Sequence, residues 1–163
     1  MKLLNMAESG DPIDQQNVRQ LQNQLGFTLP DGYCDFLLRY NGGRPSEDAE
    51  VFRINEQEGE STVGFFYSVK NKRYHTLELM HRNTEYSGRI PQGFLPIAKD
   101  SFGNQILLGI TGAVWNQVCF WDHEQEPPDQ AAKTDIQIIK MASTFEAFID
   151  GLHSSSPVTD ETK

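Results

Sequence analysis

The sequence predicts an α+β fold: a central, mostly antiparallel β-sheet packed by N-terminal helices and a C-terminal helix. Three observations lead there. Apolar residues recur at helical spacing between residues 11 and 41, again over 74–86, and once more after Ser143. Apolar runs of strand character occupy 51–69 and the stretch after Ile90. Helices and strands therefore come in runs rather than in strict alternation, the pattern of segregated layers and not of repeated βαβ units.

Residues 1–10 show no pattern and are expected to be a flexible N-terminus. Asp11 then supplies an N-cap, Pro12 fits the first helical position, and Asp14 adds negative charge to the first turn. Val18, Leu21 and Leu25 share one face of this helix, and Gly26 stops it. A second helix follows Pro30 with Tyr33, Phe36, Leu37 and Tyr40 on one stripe. Asn41-Gly42-Gly43 ends it, since Asn and Gly tolerate the left-handed conformation.

Val51, Phe52 and Ile54 read as a short strand, and Thr62 to Val69 as another. Over 74–86 the spacing of Leu77, Met80 and Thr84 predicts a helix closed by Gly88. Strands are then expected over Phe94–Ala98, Gln105–Ile110 and Val114–Trp121, with Lys99–Asn104 and Gly112 as turns. In the third of these, Val114, Val118 and Phe120 point one way and Trp115, Cys119 and Trp121 the other, so it should be central and covered on both faces. Residues 122–135 form an acidic loop, and Ile136–Met141 a short edge strand. Ser143 followed by Glu146 resembles a capping box for a last helix that buries Phe145, Phe148, Ile149 and Leu152. The reading is one domain over 11–153, with a disordered tail over 154–163.

Composition narrows the function without naming it. At 163 residues and 37% hydrophobic content the chain can build a core without a metal or disulfide staple. Asn5, Glu8 and Asp11 interrupt any signal-peptide core after Leu4, so a cytoplasmic location is expected. No apolar run is long enough to span a bilayer. Lys and Arg number 14 against 23 Asp and Glu, a formal charge of −9, the wrong sign for direct nucleic-acid binding. Cys34 and Cys119 stand far apart in no metal or redox motif and read as buried thiols.

Four blocks in order carry a family resemblance. They are Leu29-Pro30 with Phe36-Leu37 and Asn41-Gly42-Gly43; Phe94-Leu95-Pro96-Ile97-Ala98 with Asp100, Gly103-Asn104 and Ile106-Leu107-Leu108; Val118 to Glu124; and Ala142-Ser143-Thr144-Phe145 with Phe148 and Leu152. Together they resemble the SUKH superfamily, which includes yeast cell-wall assembly regulators and many bacterial immunity proteins. The resemblance covers roughly residues 14–152, whereas 44–89 matches nothing sharply. It implies an α+β fold and a non-catalytic binding role. Bacterial members typically bind and neutralise a toxin domain, often a nuclease; the alternative, from eukaryotic relatives, is a cytosolic regulatory or scaffold protein. The motif residues carry over as fold determinants: Leu29 and Phe36 as anchors, Gly42 and Gly43 as a sharp exit, Gly103 as a tight turn and Trp121 as packing beside the sheet.

No catalytic, cofactor or metal site is expected. HExxH, GxSxG, GxGxxG and P-loop motifs are all missing from the sequence. Asp122-His123-Glu124 reads as the solvated end of a strand, because consecutive strand residues do not converge. His75 and His81, six apart on a continuous helix, would sit on different sides, which disfavours a shared metal. Cys119 lies among apolar neighbours as an inert thiol, and Trp115 and Trp121 are read as core.

The acids carry the sharper reading. Glu47, Asp48, Glu50, Glu56, Glu58 and Glu60 are balanced only by Arg53, and Asp122, Glu124 and Glu126 begin a second acidic segment. Such segments either are solvated loops that keep the protein soluble or meet the basic face of a partner, such as the phosphate-binding surface of a nuclease toxin. These nine residues are the partner-binding candidates. No membrane partner is expected, and the sequence leaves oligomeric state open.

Overall fold

A computed structural model describes residues 1–126 and 136–155. The acidic loop beyond Glu126, with Asp129 and Lys133, and the tail beyond Ser155 lie outside the described residues. Among those described, eight strands and four α-helices form the α+β arrangement expected. The strands are β1 (Met6–Ser9), β2 (Gly43–Pro45), β3 (Val51–Asn55), β4 (Gly59–Phe66), β5 (Phe94–Asp100), β6 (Gln105–Gly109), β7 (Val118–Trp121) and β8 (Ile139–Ala142). The helices are α1 (Gln15–Leu25), α2 (Asp31–Tyr40), α3 (Leu79–Glu85) and α4 (Phe145–Asp150). Strand order is β1-β2-β4-β5-β6-β7-β8, all antiparallel, with β3 paired to the first half of β4.

The first ten residues, expected to be flexible, instead carry β1, which pairs with β2, and bury Leu4. That pairing depends on Gly43. Its φ is +110°, and a Cβ there would lie 2.0 Å from the Glu8 carbonyl oxygen. Helix α1 begins later than its Asp-Pro signal suggests. Asp14 is the N-cap: its carboxylate accepts from the Asn17 backbone while Asn17 returns a bond to the Asp14 N–H. The Asp11 carbonyl is taken elsewhere, by the Asn41 side chain. Asn41 is 1% exposed at φ +49°; its amide also donates to the Lys70 carbonyl and accepts from the Val69 N–H. The loop that ends α2 is thus tied to the segment leaving β4.

Two cores form on opposite sides of the sheet. The larger joins α1, α2 and α4 to the sheet through Leu21, Leu29, Tyr33, Phe36, Phe66 and Phe145, among others. The smaller holds Tyr86, Ile90, Phe94, Leu107, Cys119 and Trp121. As expected, β7 is covered twice: Val118 and Phe120 face the first core, Cys119 and Trp121 the second.

Three predicted elements are corrected. The helix over 74–86 breaks at Glu78, which is extended (φ −81°, ψ 141°) and bridges Ser68. A 3-10 turn, His75–Leu77, precedes the break, and the fully buried residue is Leu79, with Leu77 and Met80 half-buried and Thr84 exposed. The strand expected from Val114 starts only at Val118, because Asn116 adopts φ +65°; Trp115, expected in the core, is 42% exposed. The last helix is capped by Thr144, not Ser143, and Asn116 rather than Glu146 closes its start by accepting from the Phe145 N–H. Smaller shifts move β4 three residues back, extend β5 to Asp100 and place β8 at Ile139–Ala142 on the sheet edge.

Candidate protein-binding surface

The register of the sheet decides which acids meet. Val63 lies opposite Asp100, so Gly59–Thr62 run past the end of β5, alongside the Ser101–Asn104 turn. Trp121 lies opposite Gln105, so β7 ends at this same pole of the sheet. Three segments therefore adjoin there: the β3–β4 hairpin, the β5–β6 turn, and the 3-10 turn His123–Gln125.

Short bonds hold them together. Ser61 Oγ donates to Asp100 Oδ2 at 3.0 Å, and the Thr62 and Ser101 hydroxyls are 2.5 Å apart. On the other side, the His123 N–H reaches Asn104 Oδ1 at 3.3 Å and its Nδ1 lies 2.8 Å from the same oxygen. At the centre is Asp100, a carboxylate only 2% exposed. Its Oδ1 accepts from the Phe102 and Asn104 N–H groups at 2.9 and 2.8 Å, and its Oδ2 from the Asn104 amide at 3.0 Å. With Gly103 at φ +88°, this network gives the Asp100…Gly103-Asn104 motif a physical meaning: a buried acid organises the turn.

The nine candidate acids are not one patch. Glu56, Glu58 and Glu60 lie on the β3–β4 hairpin at this pole, whereas Glu47, Asp48 and Glu50 lie at the other end of β3. Glu56, Glu58 and Glu124 are exposed and have no side-chain hydrogen bond or ion pair among the described residues. Glu60 faces His153 at 3.2 Å, and Asp48 accepts from Asn5. Asp122 caps the turn after β7, accepting from the Glu124 N–H. Glu126 chelates Arg89 through Nε and Nη2, raising the Arg89 pKa; that guanidinium also lies over the Tyr86 and Trp121 rings. Asp122 and Glu126 thus fasten the structure, and Glu124 is left facing solvent.

Sequence reasoning missed Phe102. The sequence shows it only as part of the Lys99–Asn104 turn, and in the structure it is 76% exposed at the tip between the two acidic segments. A large aromatic between Ser and Gly in a turn is the available signal, because turn positions rarely bury such a ring.

His75 and His81 are closer than a continuous helix would place them. The break at Glu78 brings their rings to 5.4 Å between centroids, with His75 Nδ1 3.1 Å from Glu78. Even so, no group of three or more metal-ligating side chains gathers among the described residues. A depression of about 740 Å³ beside Asp35, Arg39 and Tyr40 is lined, among the described residues, by no Ser, Cys or His. No helix among the described residues is long and apolar enough to cross a membrane.

Cys119 is buried as expected, whereas Cys34 is only half-buried. Burial, then Asp31 and Asp35, push Cys34 up to about 11, and burial raises Cys119 against the pull of Lys140. Both should label more slowly with a disulfide reagent at pH 8 than after unfolding in urea. A thiol that stays protonated only when folded stabilises below its unfolded pKa, roughly 8.5, and that contribution is lost as pH climbs towards 11.

A model of the SMI1/KNR4 family (SUKH-1) matches residues 12–151, from the turn before α1 through α4. The chain belongs to this family. Its SUKH-1 fold determinants lie where the motifs suggest: Leu29 and Phe36 are buried, Gly42 would clash with the Phe66 carbonyl if it bore a Cβ, and Trp121 packs on Tyr86. Among curated proteins, the SPbeta prophage-derived uncharacterized protein YokK of Bacillus subtilis (strain 168) is 27% identical, the match covering 84% of this chain and 73% of that protein.

Proposed function

We propose that this SUKH-1 protein is a non-catalytic, cytoplasmic immunity protein that binds and neutralises a cognate protein toxin with a basic active face, in the class of nucleases. The observation that carries the reading is that Glu56 and Glu58 on the hairpin and Glu124 on the turn after β7, solvent-facing and unpaired among the described residues, flank the turn organised by Asp100 at one pole of the sheet. An enzyme that holds phosphates presents Lys and Arg, and an acidic surface seated on them gains both steering and complementarity. Membership of the SUKH-1 family, whose bacterial members the sequence resemblance associates with toxin neutralisation, supports the same reading.

Co-expression with the open reading frame immediately upstream tests it, scored by survival and by co-purification. Rescue with a stoichiometric complex is expected; toxicity without rescue, or no toxicity, would turn the reading towards a regulator of other proteins. Charge reversal in a Glu56→Lys, Glu58→Lys, Glu60→Lys variant should leave the fold intact, since these side chains are exposed. It should slow association with the toxin by about 10-fold or more, an effect that shrinks as salt rises. Unchanged affinity would remove the hairpin from the interface.

A further inference from the structure

Phe102 is the most exposed of the large apolar side chains among the described residues. The fold has no use for its ring. The turn is closed through backbone and carboxylate: the Phe102 N–H donates to Asp100 Oδ1 and the Gly103 N–H to the Asp100 carbonyl. A ring kept in water forgoes the gain of burying it and recovers it only against another molecule. Its presentation is also ordered in advance. Asp100 fixes the backbone of the turn, and bonds to Ser61, Thr62 and His123 tie that turn to its neighbours on both sides. An aromatic side chain with two rotatable bonds on a fixed backbone loses little entropy on docking.

The surroundings state what it docks against. One side is the hairpin with Glu56, Glu58 and Glu60; the other is the turn with Asp122 and Glu124. An apolar centre inside a charged rim is the anatomy of a protein interface with a buried anchor. The rim's sign repels nucleic acid and anionic lipid alike.

We propose that Phe102 is the central anchor of the partner-binding surface, and that its occupant is a protein offering an apolar socket rimmed by Lys and Arg. This deepens the immunity reading and rests on its premise of a protein partner, but it fixes the surface independently of whether that partner is a toxin.

The test places the photo-crosslinking amino acid p-benzoylphenylalanine at position 102 of the full chain in its native host. Position 115, an exposed aromatic at the opposite pole, is the control. Products are identified by mass spectrometry, and the captured protein is purified for titration. The expected result is capture from 102 and not from 115, of a protein with a clustered Lys and Arg surface, lost in the Glu56→Lys, Glu58→Lys variant. Phe102→Ala should then weaken binding by about 30-fold or more, Phe102→Leu by less, and Trp115→Ala by under about 3-fold. No capture from 102, equal capture from both positions, capture of an acidic protein, or a Phe102→Ala effect under about 3-fold would overturn the proposal. Neutralisation of the toxin without capture from 102 would sink the surface and spare the immunity reading. Capture of a basic, non-toxic protein that meets the affinity criteria would do the reverse.

Discussion

Phe36→Ala lowers the free energy of unfolding by about 3–5 kcal/mol, the range for deleting a buried aromatic. Phe36 is fully buried on α2 and lies at the crossing of three elements. Its ring centroid is 4.8 Å from Phe66 on β4, 5.3 Å from Phe145 on α4 and 5.2 Å from Tyr40 on its own helix. A cavity there cannot be filled by one neighbour moving, because each neighbour is seated on a different element. For a chain of 163 residues the loss corresponds to a fall in Tm of roughly 10 °C. Urea unfolding and calorimetry measure it directly. Phe36→Leu, which keeps most of the volume, should cost under about 1.5 kcal/mol. A Phe36→Ala loss below about 1.5 kcal/mol would mean that α2 and α4 can close on each other without the ring.

Asp100→Ala is expected to cost about as much, roughly 3–5 kcal/mol, by a different route. The side chain is small, so little packing is lost. What is lost is the acceptor for the Phe102 and Asn104 N–H groups, the Asn104 amide and the Ser61 hydroxyl. Asp100→Asn should cost roughly half as much, because one amide oxygen still accepts from the two backbone groups while the new amide donor faces the Asn104 donor. Hydrogen exchange adds a local readout: protection at Phe102 and Asn104 should fall more than protection in α2. Uniform loss across the molecule would show that Asp100 matters to global stability alone and not to the turn.

These two residues also mark what a sequence can and cannot disclose. Phe36 was legible, because helical spacing with Tyr33, Leu37 and Tyr40 leaves one face to bury. The two-sided burial of Val118–Trp121 is legible for a different reason: alternation along a strand puts apolar side chains on both faces. The helix over 74–86 was misjudged because its break is imposed from outside: the Ser68 and Glu78 segments pair over a distance in sequence that no local pattern encodes. Trp115 was misjudged because Asn116 turns the backbone one residue later. β1 was missed because its partner strand, Gly43–Pro45, has no strand signature of its own. At the candidate site, the acids could be read but not their grouping. Whether Glu58 stands near Glu124 or near Glu47 depends on Val63 facing Asp100, a register that only the folded sheet specifies.

The two tryptophans make the molecule its own spectroscopic instrument. Trp115 is solvent-exposed at one pole, while Trp121 is buried 5.6 Å from Tyr86, under the Arg89 guanidinium and beside the acidic pole. Their emission is expected to separate into a red, quencher-accessible component from Trp115 and a blue, shielded one from Trp121. In a Trp115→Phe background the remaining signal comes from Trp121 alone. It then reports, without any attached dye, each event that disturbs the Arg89–Glu126 clasp beside the acidic pole.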